Sequence, residues 1–560
     1  MSKWKIAKRE DKDLKKHLLK QRGFGEEDLN PPELRELLPD LFNLFPQIEK
    51  AVGLIIKAAG EGRPIVIHGD YDADGICATA ILWESLYYDF GYKNTWPFIP
   101  NRFDHGYGLS RESLTEIESK YPKALIITVD CGITSIKEVD LAKSKGFEVI
   151  VTDHHHPPTP EASTRLREGG IYGSDLPKAD AILWTDKLAG AGIAWVLSQS
   201  FHFHSLNGKS VGLDLVALAT IADVQKLVGF NRSLVKMGLL NLNNTYRLGI
   251  KELLKVSGIW GKKVTPFEVG WILAPRLNAS GRLKDAKESL RLLVTKSKPQ
   301  ALEIAARLDT INRERQKLTS EQYNLAKKKV VESDSLSSIL WVSSDNFHEG
   351  IIGLIAGRLS KEFYRPAVVA SVSEDQVKAS ARSVPGVNII EILRRLEHLS
   401  NSMGGHKGAA GFSLKPDKMG DFSALLSKEA EKIDKTLLEK ELNIDALVDS
   451  GDINYNLIEF LELLGPFGEG NPTPCFILQG AVLKDYKLLG STKSHLKMQV
   501  ESENHQFTAL WFSYPKDILS NLIVGNSFDV VFILKENNYN GRKELQFIVK
   551  DINFENAKNS

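Results

Sequence analysis

Three short apolar runs in the first third of the chain each stop at an aspartate. Residues 65–67 lead to Asp70, residues 124–129 to Asp130, and residues 149–152 to Asp153. Amphipathic stretches at 110–120 and 136–145 lie between them. Continuous apolar strands alternating with helices predict a parallel sheet covered on both faces. In such sheets ligands bind at the carboxyl ends of the strands, so several carboxylates are expected to converge on one edge.

The pattern changes twice further on. Residues 185–300 read as mostly helical, with a polar break near 205–210. Residues 301–333 read as one long charged helix, with Ile304, Leu308, Ile311, Leu318 and Leu325 on a narrow seam. At 1.5 Å per residue it would span about 50 Å, and its polar remaining faces suit a bridge between domains. A second α/β unit begins near Ser338. After it come five strand-like runs, at 476–483, 496–500, 507–512, 528–534 and 545–552, with Gly, Asn and Pro in the breaks. That spacing predicts a small β-barrel, with Phe476 and Phe528 in its core and Tyr539 exposed.

Length and composition narrow the picture. A chain of 560 residues holds several domains. It has no apolar run of about 18 residues, so no membrane span is expected. The start, Met1-Ser-Lys-Trp-Lys-Ile-Ala-Lys, lacks the apolar core of a secretory signal. Three cysteines make neither a disulfide framework nor a structural zinc site, and a cytoplasmic location fits. A formal net charge of +1 means that any nucleic acid must be held by local basic clusters. Residues 1–50, broken by Pro31 and Pro32, read as a helical extension packed on the first domain.

The chemistry concentrates at Asp70-Tyr-Asp-Ala-Asp-Gly75, where three alternate carboxylates crowd one turn. A chain tolerates such repulsion when a cation sits between the charges. The first half of an EF-hand loop looks similar, but the twelfth position must then be Glu, and here it is Ile81. Further candidates are Asp130 in Thr128-Val-Asp-Cys-Gly132, the Asp153-His154-His155-His156 run, and Asp223 in Ala219-Thr-Ile-Ala-Asp223, all expected at strand ends. Oxygen donors with one or two imidazoles suit Mg²⁺ or Mn²⁺. Two such ions about 3.5–4 Å apart are equipment for in-line attack at phosphorus. Singly, each Asp could be an ordinary helix cap; three in one turn could not all be.

These motifs, in this order, resemble the four motifs of the DHH phosphoesterase superfamily, and within it the RecJ exonuclease family. Further blocks carry the likeness: Ile99-Pro-Asn-Arg-Phe-Asp-His-Gly-Tyr-Gly-Leu109, Ala274-Pro-Arg-Leu-Asn-Ala-Ser-Gly-Arg282, His348-Glu-Gly-Ile-Ile-Gly-Leu-Ile-Ala-Gly-Arg358, Gly404-Gly-His-Lys-Gly-Ala-Ala-Gly411 and Gly465-Pro-Phe-Gly-Glu-Gly-Asn-Pro-Thr-Pro-Cys-Phe476. The resemblance implies an α/β fold. A parallel-sheet DHH domain (51–235, after the 1–50 extension) is joined by a helical connector (236–335) to a smaller α/β DHHA1 domain (336–445). An OB-type β-barrel follows (446–560).

The resemblance also implies a 5′-to-3′ exonuclease that acts on single-stranded DNA in repair and recombination. It would release 5′-mononucleotides with two Mn²⁺ or Mg²⁺ ions. Asp72, Asp74, Asp130, His154 and Asp223 are the implied metal ligands, with Asp130 as the bridge. Asp70 would ligate directly or from behind, His155 would contact the scissile phosphate or support a metal, and His68 occupies a position that is a ligand in some smaller DHH enzymes and varies among RecJ-like proteins, so whether it ligates stays open. Arg102, Arg276, Asn278, Arg282, Ser380, Arg382, Ser383, Gly405 and His406 are the implied substrate contacts. A monomer is implied, with a RecQ-type helicase and a single-strand-binding protein as partners. The chain departs from the family pattern at Ala219, Gln225-Lys226, Ala379-Ser-Ala-Arg382 and Lys407-Gly408, without losing a ligand. The competing expectation is a DHH phosphodiesterase for short oligonucleotides or cyclic dinucleotides, which needs neither barrel nor long helix. A non-catalytic scaffold would not need four intact metal motifs.

Overall fold

In the computed structural model, which describes residues 3–101, 104–106, 108–171, 173–202, 212–333, 336–539 and 542–554, the three apolar runs are strands of one sheet. Its order is Thr95–Phe98, Ile65–His68, Leu125–Val129, Glu148–Asp153, Ala181–Trp184, and every pairing is parallel. Side chains alternate between two cores. Ile65, Ile67, Leu125 and Ile127 pack on one face, and Val66, Ile126, Val149 and Val151 on the other. This is why the strands read as unbroken apolar runs.

The chain order reverses between Ile65–His68 and Leu125–Val129, since the strand between them in sequence lies outside the first. Such a switch point opens a crevice at the strand ends. Asp70 to Asp74 and Asp130 follow the two strands that flank it. The two outer strands have weaker signals. Thr95–Phe98 contains Pro97, which suits only an edge position, and Ala181–Trp184 is four residues long.

One expectation about the site is corrected here. Asp223 does not follow a strand; it is the C-cap of helix Leu213–Ala222. A helix C-terminus carries partial negative charge, so a carboxylate there deepens a potential that only a cation relieves.

The chain divides into two bodies: Asn30–Arg315 with Gly465–Pro472, and Met1–Leu29 with Gln316–Leu464 and Thr473–Ser560. The expected long helix is Lys298–Val331. Its Ile304 and Leu308 join the core of the first body, while Ala326 and Val330 join a core of the second.

In the second body a mixed sheet runs in the order Ser402–His406, Ala409–Leu414, Val377–Arg382, Ala367–Val372, Leu340–Ser344. The expected barrel follows, with strands Phe476–Leu489, His495–Ser502, His505–Phe512, Ser527–Tyr539 and Arg542–Asn553. Pairing of the first with the fourth closes it. Phe476 and Phe528 are buried in it, as expected.

The N-terminal extension departs from expectation. Residues 34–60 do pack on the first body, through Leu37, Leu41, Phe45 and Ile55. The start of the chain belongs to the second. Lys3–Ile6 pairs in parallel with Glu441–Ile444, and Arg22 on helix Leu14–Arg22 meets Asp445 at 3.0 Å. Trp4 and Ile6, an aromatic and a β-branched residue two apart, are the strand signal that the reading of 1–50 as helical overlooked.

Arg102, the polar break at 205–210 and the side chain of Tyr539 lie outside the described residues. No helix among the described residues is long and apolar enough to cross a membrane.

Candidate metal centre

The Asp70–Gly75 turn is shaped by its own carboxylates. Asp72 is the N-cap of helix Ala73–Glu84, and its Oδ1 accepts from the N–H groups of Asp74 at 3.0 Å and Gly75 at 3.1 Å. Gly75 is required there, because a Cβ would lie 2.5 Å from the Asp70 nitrogen. Asp74 is buried one step into the helix and reaches the start of a second helix, Gly190–His202. Its two oxygens accept from the N–H groups of Gly190 and Ala191, both at 2.7 Å. That helix N-terminus favours an anion and fixes the carboxylate's plane.

Asp130 sits at φ 62°, in the left-handed region that a residue with a Cβ seldom adopts. The conformation keeps its N–H on Thr152 at 3.0 Å while the carboxylate turns toward the histidines. Asp130 Oδ1 is 3.0 Å from His154 Nε2, and that nitrogen is 3.7 Å from both Asp74 Oδ2 and Asp223 Oδ2. One imidazole nitrogen thus faces three carboxylates contributed by a turn, a strand end and a helix end.

Among the described residues, three overlapping donor groups result: Asp70, Asp72 and Asp130; Asp74, His154 and Asp223; and Asp130, His154 and His155. Within each, the donor atoms lie within 4.8 Å of one another. Asp130 and His154 each belong to two of the groups. His68 belongs to none of the three. It is buried, stacked on Phe98 at 5.2 Å, and burial pushes its pKa down to about 4.

Electrostatics favour a cation at this cluster. Burial, and then the neighbouring Asp72, Asp74 and Asp223 charges, hold the Asp74 and Asp130 carboxyls well above their ordinary range. Asp72 is raised for the same reasons, burial first and Asp223 second. Asp153 goes the other way. Burial would raise it, but the hydrogen bond and charge of His155 outweigh that and leave it low. His155 is the counterpart: burial lowers it, yet Asp153 holds it up at about 9.

The donor set fits a hard divalent cation: carboxylate oxygens with one or two imidazoles and no available thiolate. The nearby Cys131 is buried, and burial pushes its thiol well up.

Three contributions escaped the sequence reading, the first being the part played by Asp153, which was read only as a candidate carboxylate site. Asp153 is engaged by structural hydrogen bonds. Its Oδ1 accepts from the His154 N–H, the His155 N–H and His155 Nδ1 at 2.7, 3.0 and 2.8 Å, and its Oδ2 from the Ile133 N–H at 2.9 Å. It aims the histidine pair, with Oδ1 committed to that task. Gln225, noted only as a departure, donates from Nε2 to Asp223 Oδ2 at 2.8 Å and lies 3.2 Å from His154 Nδ1. Gly190 is the third miss, and its signal was the small-residue run Ala189-Gly-Ala-Gly192.

The expected substrate contacts divide between the bodies. In the first, Asn278 Oδ1 accepts from the Ala73 N–H at 2.7 Å, which ties helix Ala274–Leu283 to the metal-binding turn. Arg276 is engaged by Asp309, at 3.0 Å through Nε and 2.9 Å through a terminal nitrogen, and donates to the Ile272 carbonyl. Arg282 lies one helical turn beyond Asn278, half-buried. In the second body, Arg382 donates to Ser380 Oγ at 3.2 Å. A Cβ on Gly353 would come within 3.0 Å of that hydroxyl, so glycine keeps the pair accessible to the helix backbone. Ser383 donates to the Val387 carbonyl, Gly405 adopts φ 148° against Ala410, and His406 is exposed.

Residues 64–220 match the N-terminal domain of the DHH family, residues 336–432 the DHHA1 domain, and residues 444–551 the RecJ OB domain. The single-stranded-DNA-specific exonuclease RecJ of Haemophilus influenzae is 30% identical over 554 residues, 93% of each chain. The chain belongs to the RecJ family. RecJ of Thermus thermophilus is 34% identical over 530 residues, 93% of this chain and 72% of that one. The crystal structure of Thermus thermophilus RecJ in complex with Mn²⁺ matches at a TM-score of 0.81 with 28% identity, over 98% of this chain and 79% of that chain. Its complex with Mg²⁺ matches at 0.75, over 98% and 78%. Mn²⁺ and Mg²⁺ are both hard divalent cations of the kind that the donor set here suits. The metal centre lies in the part of the chain that matches the DHH domain, apart from Asp223 and Gln225 just past its end.

Proposed function

We propose that this chain is a metal-dependent exonuclease that removes 5′-mononucleotides from the 5′ end of single-stranded DNA. The observation that carries the reading is the convergence of Asp74, Asp130 and Asp223 on His154 Nε2. Likeness to RecJ over nearly the whole chain, barrel included, supports the substrate. The rival substrate, a short oligonucleotide or cyclic dinucleotide, leaves the closed barrel without a task. OB barrels hold single strands in a basic groove with stacking rings.

Asp72, Asp74, Asp130, His154 and Asp223 would hold two Mn²⁺ or Mg²⁺ ions, with Asp130 shared and Asp70 beside it. The bound ions supply Lewis-acid activation of water and neutralise charge on the phosphate. The remaining steps belong to the chain. The Gly190–His202 helix N-terminus fixes Asp74, and Gln225 holds Asp223 and His154 in register. Asp153 keeps His155 protonated and aimed, so His155 donates a hydrogen bond to a non-bridging phosphate oxygen and stabilises charge there in the transition state. Asn278, Arg282, Arg276, Ser380, Arg382, Ser383, Gly405 and His406, with Arg102, are assigned to the strand's phosphates. For Arg276 this requires its two remaining N–H bonds, since Asp309 and Ile272 take the others.

Family likeness is also what supports a monomer that works with a RecQ-type helicase and a single-strand-binding protein. The three cysteines are free and buried, which suits a reducing cytoplasm.

The test is hydrolysis of linear single-stranded DNA, the same sequence as a blunt duplex, and a circular single strand, each with Mn²⁺ and with EDTA. Only the linear single strand with Mn²⁺ should yield mononucleotides. Cleavage of the circle would contradict an exonuclease, and equal cleavage of the duplex would contradict strand specificity.

A further inference from the structure

We propose that Phe267 and Trp271 form a stacking platform for bases of the single strand beside the metal centre. The inference rests on the single-stranded-DNA reading above and adds a contact that the sequence motifs do not include.

Both rings are displayed rather than packed: Phe267 is 56% exposed and Trp271 64%. They lie one helical turn apart, with centroids at 6.3 Å and planes within 29° of parallel. Exposing two large aromatics side by side forfeits burial that each could have gained, so a paired, parallel display calls for an occupant. Their mount is rigid. Thr265 and Glu268 form a capping box, Pro266 starts the helical segment, and Val269 and Leu273 anchor the following π-turn in the core. A π-turn at such a place is more often functional than incidental.

Position ties the pair to the chemistry. Gly270, between the two rings in sequence, packs against Ile221, 3.8 Å from where its Cβ would be. Ile221 is two residues from Asp223 on the helix that ends in that ligand. On the other side, the helix that follows Leu273 carries Asn278 against the Asp70–Gly75 turn. Packed helical segments lie about 8–10 Å apart, so the rings are a few nucleotides' reach from the reacting phosphate.

Charge selects the occupant. The segment leading into this turn exposes Lys262 and Lys263, and the helix before it, Leu248–Val256, exposes Lys255, whose Nζ is 5.3 Å from the ring of Trp260, itself 52% exposed. The two carboxylates of the stretch are committed locally: Glu252 is buried and paired with Lys255, and Glu268 accepts from the Thr265 N–H and hydroxyl. Displayed rings with exposed ammonium groups match the recipe for a single strand, whose bases stack and whose phosphates are anionic.

The experiment measures equilibrium binding of a fluorescent 20-nucleotide single strand to the full chain carrying Asp130→Ala, in which the probe survives. Trp271→Leu should weaken binding about tenfold and Phe267→Leu by a similar factor, while Trp271→Phe stays within about threefold, all at an unchanged thermal midpoint. Lys262→Ala with Lys263→Ala should flatten the log–log salt dependence by about 1.4. A strand bearing 5-iodouracil should photo-crosslink to Phe267 or Trp271. Equal affinity of the leucine variants, or crosslinks confined to other residues, overturns the platform and leaves the exonuclease reading standing. Failure of the parent chain to bind any single strand overturns both.

Discussion

Gly190 donates its N–H to Asp74 at 2.7 Å, and a Cβ built on it would lie 2.5 Å from the Cβ of Asp130. One glycine therefore holds one expected ligand and makes room for another. Gly190→Ala should push the Asp74 and Asp130 carboxylates apart. Overpacking of this kind costs about 1–3 kcal/mol, and displaced ligands should lose about 10- to 100-fold in metal affinity. Calorimetric Mn²⁺ titration of the variant checks this; wild-type affinity would show that the two carboxylates need no such closeness.

Asp153 gives a contrasting outcome. Asp153→Asn keeps the shape but loses the charge that holds His155 near pKa 9. Mn²⁺ affinity should change little, while kcat falls by about 10- to 100-fold. The variant's activity should also decline at lower pH than the wild type's, because an imidazole without its carboxylate partner loses its proton nearer the ordinary 6.5. An unaltered alkaline limb would remove His155 from the role given to it.

Acidity and metal should oppose each other in a definite direction. The Asp74 and Asp130 carboxyls are raised in the folded, metal-free chain, first by burial and then by the charges of neighbouring carboxylates. A raised carboxyl binds protons in the folded state that the unfolded state has already lost. The metal-free chain is therefore favoured at acid pH and loses stability as pH rises from about 4 through the raised values. A cation replaces those protons. The rise in thermal midpoint on adding Mn²⁺ should be larger at pH 8 than at pH 5; a rise that shrinks with pH contradicts the assignment.

A buried ion cluster locks the two ligand-bearing helices at their far ends. Arg247 reaches Asp214 at 2.9 Å and Glu84 at 2.7 Å. Glu84 ends the helix that begins at the metal-binding turn, and Asp214 lies in the first turn of the helix that ends at Asp223. Arg247→Met leaves Asp214 buried without its ion pair and Glu84 with only Lys296 at 3.5 Å, and should cost about 3–5 kcal/mol. Differential scanning calorimetry should show the transition of the body that contains it moving down by several degrees, with weaker Mn²⁺ binding alongside. An unmoved transition would mean that the cluster carries no net stabilisation.

What could be read in advance follows from what each signal depends on. The central strands were legible because burial on both faces makes them continuously apolar, and the barrel strands because turn residues punctuate them. Thr95–Phe98 was hidden by Pro97, and Ala181–Trp184 by its brevity. The ligand types were legible because three carboxylates in one turn need a cation. The work of Gly190, Asp153 and Gln225 was not, because it depends on contacts 116, up to 20, and 71 residues away in sequence. Asn278 and Arg276 read as phosphate contacts, yet their nearest partners are the Ala73 backbone and Asp309, which no local pattern reveals.

The central claim is that Asp130, facing His154 at 3.0 Å, anchors a metal centre that cuts single-stranded DNA from its 5′ end. The most direct measurement follows a linear single strand labelled separately at its 5′ and 3′ ends, with Mn²⁺, for the wild type and for Asp130→Ala. The account predicts that the 5′ label appears at once as a mononucleotide, that the 3′ label stays in a shortening strand, and that Asp130→Ala releases neither. Early release of the 3′ label, or full activity in Asp130→Ala, would contradict it.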